Sequence, residues 1–489
     1  MSSSTVSTPS TPNATVSPRA WRALIVLLLG MFIALLDTTI VNVALPSIRN
    51  DLDASEATLS WIISGYALAF GLALIPAGRI GDRVGHKWVY FTGIVLFTLA
   101  SLAAGLSQTD TQLVIARIVQ GLAGGIFVPA VTAYIQLLFP ATSRGKAFAI
   151  QGAVLGISSA LGPIVGGLLI QASGDETGWR LVFFVNLPIG LITAIAAAIV
   201  LPKRDVTEHR APAGLDWVGV ALITASFVAI LVPLIQGQDI GWPLWTYLTI
   251  AAGVLLLVAF ALWEVSYTKR GKTPLVPPSL FHHPAFTTGV ILALVYFAAF
   301  TSIFFTISLL WQAGLGFSAL ESGLVAVPFA LGSIVAASFS TKIAEILGRN
   351  VLVIGTGLVT VGLIWLWLIL ANTDPTTLTH WTVLAPLLIA GIGNGFFIAP
   401  NAQFIVATVE RQNAGGASAV IAAVQRIGAA IGVAIIGSVF FGNLVITDGS
   451  PEALATGFGT ASSSAMLISA IFAAAAFVLV FTLPKKVSH

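Results

Sequence analysis

A membrane-sized apolar run recurs along almost the entire chain, and no other feature limits the possible folds so tightly. The runs occupy about 21–45, 57–77, 88–106, 111–138, 148–171, 180–201 and 215–236 in the first half. They continue at about 244–266, 285–311, 320–341, 351–371, 381–407, 417–442 and 458–483. A helix needs roughly 20 mostly apolar residues to cross a bilayer, so the reading is fourteen spans. Only 8% of the residues are charged, against about 25% in an ordinary soluble domain. A one-pass anchor on a soluble enzyme is therefore excluded, because no stretch is polar enough for a separate globular domain. A β-barrel is excluded as well, since its strands alternate over about 10 residues. The chain is expected to be an all-α polytopic membrane protein.

Charge placement orients the spans. With the N-terminus inside, one side collects Arg19, Arg22, Arg79, Arg83, Lys87, Arg144, Lys146, Lys203, Arg204, Arg210, Lys269, Arg270, Lys272, Lys342, Arg349, Arg411, Lys485 and Lys486. These are most of the 22 basic residues, and such asymmetry marks the cytoplasmic side. Acidic residues gather on the other side, at Asp51, Asp53, Glu56, Asp110, Asp175, Glu176, Asp239, Glu321, Asp374, Asp448 and Glu452. Both termini are thus expected in the cytoplasm. The net charge of +3 reflects orientation and gives no reason to expect a nucleic-acid partner. The chain has no cysteine, which excludes disulfides, thiolate metal sites and cysteine catalysis.

A weak internal repeat divides the chain. Gly78-Arg-Ile-Gly81-Asp82-Arg83-Val-Gly85-His-Lys87 follows the second span, and Thr341-Lys-Ile-Ala-Glu345-Ile-Leu-Gly348-Arg349 follows the tenth. Gly124-Gly-Ile-Phe-Val-Pro129 likewise resembles Gly395-Phe-Phe-Ile-Ala-Pro400. Two related six-helix halves around a midplane site suit a transporter. The expected organisation is a disordered cytoplasmic tail at 1–19, a six-helix bundle at 20–201, a linker with two extra helices at 202–284, a second bundle at 285–483 and a cytoplasmic tail at 484–489.

Charges inside the spans are few and informative. Asp37 lies near the middle of the first span, where an ionised group costs between ~3 and ~15 kcal/mol depending on context. Protonation removes most of that cost, so a carboxyl there suits proton coupling; structural pairing with a polar neighbour is the alternative. Arg117, in the fourth span, is a permanent cation that needs a partner or a water-filled cavity; it either assists proton movement or holds helix ends together. Arg426, in the thirteenth, is equally open between a structural role and cavity contact. In the fifth span Pro163 frees a backbone carbonyl, and Gly156, Gly162, Gly166 and Gly167 permit close packing. Phosphate-loop, zinc-hydrolase and serine-esterase motifs are all missing, so neither an ATPase nor a hydrolase is expected.

The short basic loop has the form Gly-x-x-x-Asp-Arg-x-Gly-x-Lys and resembles motif A of the major facilitator superfamily, with His86 where that family usually has Arg. Four further segments resemble its fourteen-span drug:proton antiporter branch. They are Leu36-Asp37-Thr38-Thr39-Ile40-Val41-Asn42-Val43-Ala44-Leu45-Pro46, Arg117-Ile-Val-Gln120-Gly121-Leu-Ala-Gly124-Gly125, Gly156 through Gly167, and Trp179-Arg180-Leu-Val-Phe-Phe-Val-Asn186-Leu-Pro188-Ile-Gly190. The third resembles the antiporter motif, with Ala149 and Ser158 where the family often has Gly.

The resemblance implies the major facilitator fold, with two six-helix bundles plus two inserted helices. It implies proton coupling at Asp37 and Arg117, a conformational lock at Gly78, Gly81, Asp82, Arg83, Gly85 and Lys87, and gating through Gly156, Gly162, Pro163, Gly166 and Gly167. Spans one, four, nine and twelve would line a central cavity, with Gln120, Tyr296, Phe300, Phe304, Asn394, Phe397 and Asn401 as candidate contacts. Aromatics with scattered amides suit a bulky, apolar, often cationic ligand, although each aromatic alone also fits lipid-facing or packing roles. The expectation is a monomer in a bacterial cytoplasmic membrane that uses the proton gradient, without cofactor or metal, to export hydrophobic or cationic compounds. A dedicated exporter of one metabolite and a non-transporting membrane sensor are the rival readings.

Overall fold

The computed structural model describes residues 16–173, 177–202, 216–237, 240–272, 274–407, 409 and 414–484. The expected tail at 1–15, most of the linker before the extra helices (203–215) and residues 485–489 lie outside the described residues, as do Asp175, Glu176, Asp239 and Arg411. Among the described residues there are helices and turns but no strand.

The first half contains α1 (Pro18–Leu52), α2 (Glu56–Val84), α3 (His86–Gly105), α4 (Asp110–Leu138), α5 (Ala141–Ser173), α6 (Trp179–Phe184) and α7 (Asn186–Val200). The extra pair is α8 (Trp217–Gln236) and α9 (Leu244–Lys269). The second half contains α10 (Pro284–Leu309), α11 (Ala319–Val325), α12 (Val327–Leu347), α13 (Asn350–Asn372), α14 (His380–Ala407), α15 (Ala414–Gly442) and α16 (Pro451–Val480). Thirteen helical stretches among the described residues are long and apolar enough to cross a membrane, and α2 adds a shorter apolar stretch at 61–74.

Two expected single spans are broken, each where a proline removes a donor. Pro188 cannot hydrogen-bond to the carbonyl of Phe184, so α6 ends and α7 begins at Asn186. Pro328 does the same one turn after Leu324, separating α11 from α12. Side-chain hydroxyls cap several helix starts. Ser17, Ser55, Thr109 and Ser450 each accept from a backbone N–H in the first turn, and Ser318 forms a capping box with Glu321.

The two halves repeat each other's packing. In the first, α1 packs on α5 and α7, α2 on α4, and α3 on α4 and α7; in the second, α10 packs on α15 and α16, α12 on α14, and α13 on α14 and α16. The halves meet along two seams, α2 against α15 and α5 against α11 and α12. The extra helices pair with each other, and α8 lies against both α2 and α15. Helix α9 turns Leu248, Leu255 and Leu262 outward, as a lipid-facing helix should.

The repeated basic loop has a physical counterpart in each half. Gly85 and Gly348 end their helices at φ 102° and 55°, a region that side-chain-bearing residues rarely adopt. Beyond the first, the Lys87 ammonium donates to the carbonyls of Ala198 (2.7 Å) and Leu201 (2.8 Å) at the end of α7. Beyond the second, the Arg349 guanidinium donates to Phe481 (3.0 Å) and Leu483 (2.6 Å) at the end of α16. In both cases a cation after the glycine turn satisfies the last carbonyls of that half's final helix, where the helix dipole is negative.

Candidate functional site

Asp37 sits in the middle of α1 and is fully buried, as are Gln120, Asn186 and Ser101; Arg117 is 1% exposed. One carboxylate oxygen, Oδ2, takes an ion pair from Arg117 Nη1. The other, Oδ1, accepts from Gln120 Nε2 at 2.9 Å and from Asn186 Nδ2 at 2.9 Å. Arg117 Nη1 also donates to Gln120 Oε1 at 2.6 Å, and its Nε donates to the Ile62 carbonyl at 3.1 Å. The guanidinium lies 4.2 Å over the ring of Tyr66, whose hydroxyl donates to the Ala34 carbonyl at 3.0 Å. Five helices, α1 to α4 and α7, thus converge on one carboxylate. Arg117, Gln120 and Asn186 all donate to it, an arrangement that suits the ionised form.

Packing explains how these elements come together. A Cβ at Gly121 would lie 2.3 Å from the Tyr66 carbonyl, and one at Gly125 2.3 Å from that of Phe70, so α4 rides directly on the backbone of α2. This approach places Arg117 and Gln120, one turn apart on α4, beside Asp37. Gln120 is fixed at both ends, since its Nε2 also donates to Ser101 Oγ at 2.7 Å. Asn186 differs: its Oδ1 is buried without a hydrogen-bond partner. Ser101 and Tyr66 were not singled out from sequence, and Asn186 entered only as part of the Trp179–Gly190 segment, without a role in the site. Asn186 starts a helix at a proline break, and that break was the available signal.

The glycines of α5 divide between two partners. Gly162 and Gly166 face α1, where added Cβ atoms would meet Thr39 and the backbone of Ile40. Gly156 faces the other half, where an added Cβ would lie 3.5 Å from Ser333 Oγ of α12, and Pro163 is pressed against Gly323 of α11. Gly167 is buried.

Two adjoining narrow clefts, open at their margins, lie between the halves. Phe300, Phe304 and Asn394 line the first together with Gly156, Phe329 and Ser333; Phe304 continues into the second beside Thr39, Asn42 and Pro163. Among the described residues no charged side chain lines either.

The other expected cavity residues are turned into protein. Gln120 belongs to the Asp37 cluster. Tyr296 is sealed by its hydrogen bond to Asn394 Oδ1 (2.7 Å) and by stacking on Phe397 at 3.7 Å. Asn401 reaches the Gly289 carbonyl on α10 at 3.4 Å. Arg426 lies on α15 with its guanidinium 4.2 Å over the ring of Phe70 on α2.

Of the expected lock residues, Gly78 and Gly81 are buried in the last turns of α2, and Gly81 abuts the His86 ring. Gly85 makes the turn, and Lys87 ties α3 to α7 within its own half. The side chains of Asp82 and Arg83 lie outside the described residues.

The sequence pattern described as Major Facilitator Superfamily matches residues 27–433. A probable actinorhodin transporter of Streptomyces coelicolor is 35% identical over 429 residues, covering 87% of this chain and 73% of that protein. A tetracenomycin C resistance and export protein of Streptomyces glaucescens is 32% identical over 429 residues, covering 87% and 77%. Among solved structures, the proton:xylose symporter XylE superposes with a TM-score of 0.63 at 15% identity, over 94% of this chain and 95% of that one.

Proposed function

The chain belongs to the Major Facilitator Superfamily, and on that premise we propose that it is a proton-coupled antiporter exporting hydrophobic, often cationic, drugs or antibiotics. As a member of that family it is a multi-pass transporter of the cell membrane, not an enzyme. The observation that carries the coupling is the buried Asp37 carboxylate, held by Arg117, Gln120 and Asn186 at the centre of five helices. Export of antibiotics is supported by relatives described as an actinorhodin transporter and a tetracenomycin C export protein.

A proton on Asp37 removes the charge that holds Arg117 and leaves one donor too many at the carboxyl. The tie between α1 and α4 weakens. Two and three residues further along α1, Thr39 and Ile40 form the contact with Gly162 and Gly166 of α5, and α5 touches the second half at Gly156 and Pro163. Protonation is thereby linked through one helix contact to a seam between the halves. The bulky apolar cargo occupies the phenylalanine-lined space, and aromatic faces accept a cationic group. A proton moving down ~100 mV releases about 2.3 kcal/mol, and one pH unit adds about 1.4 kcal/mol. Together they support a substrate gradient of a few hundredfold, at about 1.4 kcal/mol per tenfold.

Purified protein in liposomes with an imposed pH gradient tests the reading. A hydrophobic cationic dye such as ethidium should move only while the gradient lasts, and gradient-independent movement at the same rate would refute coupling.

A further inference from the structure

The structure carries two guanidinium groups at the level of the helix centres, and they are treated differently. Arg117 is satisfied by a carboxylate, an amide and a carbonyl. Arg426 has the ring of Phe70 at 4.2 Å and neither an ion pair nor a hydrogen bond among the described residues. The residue is only partly buried, and its nitrogens are not among the sealed, unpartnered polar atoms of the described residues.

Arg426 sits in the seam between α15 and α2, with its Cβ against Gly71. Helix α8 packs on both of these helices, burying Ile223, Phe227 and Leu231, and closes the seam on the lipid side. On its other flank α15 is pressed onto α10, since added Cβ atoms at Gly428 and Gly432 would strike the carbonyls of Leu294 and Ala298. Arg426 therefore lies between the two halves, over a ring of α2 and away from the α10 contact.

We propose that Arg426 and the face of Phe70 form an anion-binding subsite on the transport path, which takes the carboxylate or phenolate of an aromatic substrate and extends the cargo of this exporter to acids. A permanent guanidinium in a low-dielectric seam without a protein acceptor favours a ligand that supplies one. The neighbouring ring gives the substrate's apolar body a surface, while α8 keeps the bilayer from competing. The proposal rests on the export reading but not on proton coupling, so its test is a binding measurement without any gradient.

The probes are 9-anthracenecarboxylate and its uncharged counterpart 9-anthracenemethanol, titrated into the purified protein in phosphatidylcholine nanodiscs, with empty discs correcting for partition. Arg426→Gln should weaken the acid about tenfold or more, corresponding to about 1.4 kcal/mol, and leave the alcohol within about twofold. Arg426→Lys, which keeps the charge, should retain most of the acid's affinity and shows that the seam still folds. Failure of the acid to bind the wild-type protein, or an equal effect of Arg426→Gln on both probes, overturns the subsite. Repeating the titration in discs containing phosphatidylglycerol separates the two sources of anion. If that lipid displaces the acid from wild-type protein, the group at Arg426 is a headgroup phosphate, and the assignment to cargo is overturned. Unchanged binding supports it.

Discussion

Breaking the Asp37–Arg117 pair from one side should cost far more than replacing both partners. Both side chains are essentially inaccessible, and Arg117 is also bonded to Gln120 and the Ile62 carbonyl. Asp37→Leu leaves a guanidinium in the core with no counter-charge, and Arg117→Leu leaves a carboxylate with two amide donors but no cation. Removing one member of a buried pair typically costs about 3–5 kcal/mol, whereas replacing the whole pair with apolar residues is often neutral. Chemical unfolding in detergent, followed by the loss of tryptophan fluorescence, should therefore rank each single variant below wild type by about 3–5 kcal/mol. The Asp37→Leu/Arg117→Leu double variant should recover most of that loss, giving a coupling energy of at least about 2 kcal/mol. Stability that falls additively, or single variants as stable as wild type, would refute the reading of a mutually dependent buried pair.

Four further outcomes follow from the geometry. Gly162→Ala forces a Cβ into Thr39 and the backbone of Ile40, and should lower stability by about 1–3 kcal/mol in the same unfolding assay. Gly156→Ala meets Ser333 at ordinary contact distance and should fold normally while slowing dye export in liposomes. Lys87→Met removes the ammonium from the final carbonyls of α7, so hydrogen exchange should speed up at residues 195–201, and Arg349→Met should do the same at the end of α16. Asn186 has one satisfied and one vacant end, and a flip of its amide would let it accept from protonated Asp37. Infrared difference spectra across a pH step should accordingly show an amide carbonyl shift that accompanies the carboxyl band and is absent in Asn186→Leu.

The repeat of apolar runs made the helical class legible because a bilayer imposes its length on each span. The repeated glycine-cation loops were equally legible, because a positive φ and an exposed helix end demand particular residues. What the sequence left open was mostly rotation. Gly162 and Gly166 are four residues apart and share a face, whereas Gly156 lies about 240° around the helix from Gly162. The expectation of one gating group overlooked that spacing, which parts the α1 contact from the seam contact. Arg117 and Gln120, three apart, also share a face, a signal that the assignment of Gln120 to the cavity overlooked. Tyr296 is different. Its burial depends on Phe397, about 100 positions away in the chain, and no local pattern reveals such a partner. The pairing of Asn186 with Asp37, 149 residues away, was hidden for the same reason.

The central claim is that substrate movement and proton movement are joined at Asp37. Liposomes holding a trapped pH-sensitive dye, with the exporter reconstituted and a substrate gradient imposed, measure this directly. Wild-type protein should drive a proton flux opposite to the substrate. Asp37→Asn should abolish that flux while still exchanging labelled for unlabelled substrate across the membrane. Proton flux that persists in Asp37→Asn, at the wild-type ratio to substrate, would contradict the account.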